Sequence, residues 1–192
     1  YHTAFHFLAF TGARRGEACG LMWQDVDLER GVVSIRRTAG RVKGQGIIMA
    51  EPKTDTGRRA ITIDRDIVEI LRTHRGAQLL HQAEMGNVFV DNGYVFAGPL
   101  GEPLDPFNLT NAWRRLCAKS NATGVRLHDL RHFHATLLLQ AGMHPKVVQE
   151  RLGHSVISVT LDVYSHVVPG LQEKAAQAFA DVMHSNMPGS TA

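Results

Sequence analysis

A chain of 192 residues, 44% hydrophobic and 20% charged, is long enough for one sizeable domain and ordinary enough to build a globular core. It has no apolar run of the length a membrane-spanning helix needs, and its two cysteines, Cys19 and Cys117, lack the CxxC spacing of a cysteine-based zinc site or a disulfide framework. The net charge of +3 is mild, but Arg14, Arg15, Arg36, Arg37, Arg41, Lys43, Lys53, Arg58 and Arg59 crowd the first third of the chain, a distribution suited to a phosphate-bearing partner.

The chain opens at Tyr1 inside a helical pattern, without Met, and reads as a fragment that has lost an N-terminal part. Phe5, Leu8 and Ala9 mark one face of a helix that stops at Thr11-Gly12, and a short helix, GEACGLMW, follows. Segments 32–37 (VVSIRR) and 59–63 (RAITI) alternate as strands do, with a third candidate at 47–51. Gly40, Gly44 and Gly46 predict one turn between strands, and Asp55-Thr56-Gly57 another. Helices dominate from Asp64, the predicted N-cap of a helix to about Gln82 whose apolar face carries Ile67, Ile70, Leu71 and Leu79. Segment 94–98 (YVFAG) reads as short and extended. Asp105-Pro106 opens a helix to about Ser120. Further helices are predicted over 128–141, from Pro145 to Gly153, and over 156–166. A last amphipathic helix covers 171–183, and a disordered tail covers 186–192. The predicted class is mainly α with a small antiparallel three-stranded sheet (α+β), as one domain over 1–185.

Three segments carry candidate chemistry: TGARRGEACGL at 11–21, HDLRH at 128–132, and LGH at 152–154 with Tyr164 ten residues later. Arg14 follows Gly12 at a helix start, where free backbone N–H groups favour an anion. His128 and Arg131 are three apart and share one helix face. His154 follows Gly153 at a helix end. Two arginines and two histidines in such places can hold a phosphate and move protons. Taken singly, each has an ordinary structural reading. Eleven histidines raise the question of a metal, and His128 with His132 has the i, i+4 spacing of a zinc pair. The pair lacks an HExxH glutamate and has the fixed charge of Arg131 beside it, so no metal is expected. His132 is expected to pack behind the site, and His134, His144 and His166 to be surface or satisfied core residues.

In combination the pieces say more. TGARRGE, then PKT at a sheet turn, then HDLRH, then LGH, then Tyr164 resembles the active-site pattern of the tyrosine recombinases, the phage integrase family, in the family's order from Thr11 to Tyr164. The resemblance implies a mostly α catalytic core with a small three-stranded sheet, normally preceded by a core-binding domain that closes around DNA and that is expected to be absent from this fragment. It implies that Arg14 and Arg131 clamp the scissile phosphate and that Lys53 protonates the leaving 5′ oxygen. His128 would serve in proton transfer, His154 would hydrogen-bond the phosphate, and Tyr164 would be the nucleophile. Glu17 would orient Arg14. No cofactor or metal is implied. The implied activity is site-specific DNA recombination through a 3′-phosphotyrosyl intermediate, for integration or excision of a mobile element. The alternatives are a Xer-like chromosome-resolving recombinase, a type IB topoisomerase-like enzyme, or an inactive DNA-binding protein. The implied partners are double-stranded DNA and other subunits of a homotetramer, in a cytoplasmic protein without membrane contact. The C-terminal helix fits docking on its own core or in trans on a neighbour, and Tyr164 action in cis or in trans.

Overall fold

The structure, a computed structural model, describes residues 1–52, 55–167 and 171–185. Helix α1 (His2–Thr11) buries Ala4, Phe5, Phe7 and Leu8 and ends at Gly12, whose N–H returns to the Leu8 carbonyl. Gly12 sits at φ 65°, and a Cβ there would meet Leu152 at 2.4 Å and His134 at 2.9 Å. The position therefore demands glycine twice, for its backbone and for the close approach of two later helices. The chain leaves Gly12 directly into α2 (Arg15–Cys19), which places Arg14 at the helix N-cap.

The strands form two antiparallel sheets. β1 (Val26–Asp27), β2 (Val32–Ile35) and β5 (Arg59–Thr62) make a three-stranded sheet in the order β1-β2-β5, with Val33 opposite Ile61 and Ile35 opposite Arg59. Alternation turns Val33, Ile35 and Ile61 into the core. β3 (Thr38–Val42) and β4 (Gly46–Ala50) form a separate hairpin. The strand predicted at 47–51 thus belongs to that hairpin, and the third strand of the sheet is β1, whose two residues are too few to show alternation. Gly40 lies within β3 and pairs with Ile48, while Gly44 and Gly46, at φ 81° and 79°, supply the left-handed geometry of the hairpin turn.

Asp64 caps α3 (Arg65–Met85), accepting from the N–H groups of Asp66 and Ile67. Ile67, Val68 and Leu71 are buried, but Leu79 is 56% exposed, against expectation. Beyond Leu71 the inward face passes to His74, Gln78 and His81, which bond the carbonyls of Val95, Tyr94 and Pro99. These residues follow at helical spacing, and Leu79 falls on another face. Segment 94–98 is extended, bridging Met22 through Tyr94 and Pro103 through Ala97, with Val95 and Phe96 buried. Asp105 caps α4 (Pro106–Lys119) through the Phe107 N–H.

The remaining helices are α5 (Asp129–Gln140), α6 (Pro145–Leu152), α7 (Ser158–Val167) and α8 (Leu171–Ser185). Ala135, Leu139, Val148 and Leu152 make a second, small core, with Leu138 and Val163 packed on it. The tail predicted over 186–192 lies outside the described residues. Among those described, no helix is long and apolar enough to cross a membrane. The architecture is mainly α with small antiparallel sheets, as expected.

Candidate active site

The N-cap of α2 is built around a buried carboxylate. Glu17 is 3% exposed. It accepts from the Arg14 backbone N–H at 2.7 Å and from the Arg14 guanidinium at 2.8 Å. Arg59, at the start of β5, meets both oxygens of the same carboxylate, at 3.0 and 2.9 Å. Burial alone would raise the Glu17 pKa, but the Arg59 hydrogen bond and charge, with Arg14 adding to them, hold it below the ordinary carboxylate value. Glu17 is therefore an anion that fixes two arginines. The other arm of Arg14 reaches the Gly153 carbonyl at 2.9 Å.

Arg131 approaches from α5, 4% exposed, and donates to the carbonyls of Gly12 and Leu152, both at 2.7 Å. Burial, then the nearby charge of Arg14, brings its pKa down to about 9, so it stays cationic at neutral pH. Arg14 and Arg131 thus hold consecutive carbonyls, Gly153 and Leu152, where α6 ends. The turn at Gly153, φ 68°, carries the chain straight to His154. The His154 Nδ1 lies 2.9 Å from the hydroxyl of Thr160, a fully buried residue of α7, and the His154 carbonyl accepts from Gln149. Burial, then Arg131 and Arg14, lowers the His154 pKa to about 4, so its ring is neutral at pH 7.

His128 precedes α5 at the exposed rim, its ring edge-on to His132 with centroids 4.9 Å apart. Partial burial, then His132 and Arg131, lowers its pKa. Arg14, His128 and Arg131 share the wall of a cleft of about 810 Å³ whose apolar side is formed by Leu8, Trp113, Cys117 and Leu127. Arg15 lines the same cleft and donates to Thr110. Of the sequence-derived candidates, Arg14, Glu17, Arg131 and His154 gather around the end of α6, and His128 stands with Arg14 and Arg131 on the cleft wall. Lys53 lies outside the described residues, as does the side chain of Tyr164, whose backbone belongs to α7. The arrangement sets two fixed cations on one cleft wall with His128, and the neutral ring of His154 just past the carbonyls they hold, which suits an anion that gains charge during a reaction. Among the described residues, no group of three or more His, Cys, Asp or Glu could hold a metal ion.

The profile of the phage integrase family matches residues 1–170. The chain belongs to the phage integrase family. It is 34% identical to a tyrosine recombinase XerC-like protein of Caldanaerobacter subterraneus subsp. tengcongensis, over 93% of this chain and 49% of that protein. It is 30% identical to the ICEBs1 integrase of Bacillus subtilis, over 93% of this chain and 48% of that protein. The chain spans about half the length of the curated relatives it matches. Among solved structures it is similar to the Tn1549 transposon integrase in complex with a circular intermediate DNA, with TM-score 0.79 and 27% identity over 93% of this chain and 58% of that one. It is also similar to XerA recombinase, with TM-score 0.65 and 28% identity over 89% of this chain and 55% of that one. Its fold is that of a tyrosine recombinase catalytic domain.

Within this family frame, the structure corrects one expected residue and adds three. His132 does not pack behind the site: it is exposed and stands beside His128 at the rim. His134 is a satisfied core residue, 3.0 Å from both the Ala9 carbonyl and the Arg151 Nε. His144 caps α6 by accepting from the Lys146 N–H, and the side chain of His166 lies outside the described residues. The additions are Arg59, Arg151 and Thr160. Arg151 ties the end of α6 to Thr62 and Phe10 through their carbonyls. The basic cluster is also partly self-paired, since Arg36 and Arg37 meet Asp25, Arg41 meets Asp105 and Arg58 meets Glu51. Arg59 lies two residues past the predicted Asp-Thr-Gly turn, and the sequence marks it only as one of the basic cluster.

Proposed function

We propose that residues 1–185 are the strand-cleaving domain of a site-specific DNA recombinase that integrates or excises a mobile element. The observation that carries this reading is the convergence of Arg14 and Arg131, 117 positions apart in sequence, on the carbonyls of Gly153 and Leu152 beside His154. The names of similar proteins support it: the Tn1549 integrase is described in complex with DNA, and the relatives include phage and transposon integrases.

In the proposed reaction the Tyr164 oxygen attacks phosphorus in double-stranded DNA. A phenol, with a pKa of about 10, reacts only if its proton can leave, and the family resemblance gives His128 a part in that transfer. The new O–P bond forms as the bond to the 5′ oxygen breaks. Negative charge rises on the non-bridging oxygens, where Arg14, Arg131 and the neutral ring of His154 donate. In this reading the Thr160 hydroxyl donates to Nδ1, which puts the His154 proton on Nε2, free to bond the phosphate. Lys53 gives the departing 5′ oxygen its proton. The ester energy stays in the 3′-phosphotyrosyl bond, so a second 5′-hydroxyl can reverse the step without ATP. The proposal includes a cytoplasmic homotetramer on paired sites, with α8 docking in cis or in trans.

The test uses a supercoiled plasmid bearing two attachment sites. Products that have exchanged flanking DNA are expected. Relaxation without exchange would point to type IB topoisomerase activity, and DNA binding with neither product would leave only a binding protein.

A further inference from the structure

Arg59 is not among the motif residues that carry the resemblance, yet its side chain is only 6% exposed and every arm of it is engaged. Its two terminal nitrogens fork onto the two oxygens of Glu17, and its Nε donates to the Arg151 carbonyl at 2.7 Å. It also packs against the turn before His154, where a Cβ on Gly153 would meet the Arg59 Nη1 at 2.9 Å and its Cδ at 3.1 Å. One side chain of β5 thus touches both the carboxylate that aims Arg14 and the turn that carries His154.

The electrostatics explain why such a residue is needed. Glu17 fixes Arg14 by its backbone and its guanidinium, but an unpaired buried carboxylate would also compete with any incoming anion for that guanidinium. We propose that Arg59 is a positioning residue that saturates Glu17, letting the carboxylate orient Arg14 without cancelling its charge toward a bound phosphate. The proposal deepens the DNA-cleaving reading, which supplies the phosphate, but it makes a claim about anion binding that holds without DNA.

The probe is inorganic phosphate, its affinity read from the thermal shift of the protein, with Arg14→Ala as the blank. Arg59→Met is expected to weaken phosphate binding by about tenfold, and adding Glu17→Gln to restore most of that loss, because it removes the competing charge. Arg59→Lys, which keeps the charge but cannot fork across two oxygens, should fall between, and it guards against a misfolded Met variant. Adduct formation on nicked DNA should follow the same order. A purely structural Arg59 would instead make the double variant worse than either single one. That result, or unchanged phosphate affinity in Arg59→Met, overturns the proposal. Wild-type protein that shows the phosphate coupling but forms no adduct would uphold Arg59 and remove the DNA reading. An adduct formed equally fast by wild type and Arg59→Met would do the reverse.

Discussion

The two cores hold their helices by different means. The larger one, under α1, α3 and the three-stranded sheet, is a continuous apolar cluster including Phe7, Leu8, Val33, Ile35, Ile61, Ile67, Leu71 and Leu109. The smaller one, under α5 to α7, has four buried apolar residues among those described. Polar groups take up the difference there: Arg131, His134, Gln149 and Thr160 are all buried, and each is bonded to backbone or to a neighbouring side chain. Apolar packing is tolerant of small shifts, whereas hydrogen bonds to named carbonyls fix position and direction. The candidate site lies along the seam, taking Arg131 and His154 from the polar side and Arg14, Glu17 and Arg59 from elements of the larger core. The larger core supplies the rigid floor.

The largest test of that contrast is Arg131→Ala. It should slow covalent DNA cleavage on the order of 10²–10³-fold. It should also cost about 2 kcal/mol of stability in urea unfolding, because two buried carbonyls lose their donor. Cleavage within a fewfold of wild type would remove Arg131 from the clamp. Next come Leu71→Ala and Leu152→Ala, one from each core, each expected to cost about 2–5 kcal/mol by chemical denaturation. Only Leu152→Ala should also slow cleavage under fully native conditions, since losing its packing lets the end of α6, whose carbonyl holds Arg131, shift. Equal effects on rate would erase the distinction between the cores.

The polar core should also respond to pH. Burial, then Arg151, lowers the His134 pKa from 6.5 to about 4. Between those values the unfolded chain binds the proton and the folded chain does not, so stability present above pH 6.5 is lost as pH falls toward 4, by up to about 3 kcal/mol. Melting temperature should therefore drop across that window. His134→Gln, which can keep both hydrogen bonds, should shrink the drop and leave the share of His154, whose pKa is lowered over the same window, and an unchanged slope would place the acid sensitivity elsewhere. The smallest effect is expected from Thr160→Val, which frees the His154 ring. It should slow cleavage roughly tenfold while costing about 1 kcal/mol, the value of one buried hydrogen bond. A loss of stability without a loss of rate would make Thr160 a packing residue only.

Much of this was legible in the chain because helix caps and family motifs are local. Asp64, Asp105, Gly12 and Gly153 mark their helix ends by residue type alone, and the elements carrying Arg14, Arg131 and His154 fell where the spacing put them. What failed was decided across the chain. The partner of β4 depends on a hairpin with β3, and Gly40 was misread because a glycine in a strand and a glycine in a turn look alike. Leu79 was misplaced because polar residues with backbone partners displaced it from the inward face of α3. Arg59 and Thr160 escaped because a buried arginine and a buried threonine differ from exposed ones only in their distant partners, Glu17 and His154.

The central claim is a covalent link from Tyr164 to DNA made with groups supplied by the protein. The most direct measurement incubates the protein with nicked attachment-site DNA in EDTA, quenches with SDS and looks for protein that migrates with DNA, with Tyr164→Phe alongside. The account predicts an adduct in wild type that disappears in Tyr164→Phe and maps by peptide sequencing to α7. An adduct that persists in Tyr164→Phe, or none from wild type on its own attachment DNA, would contradict it.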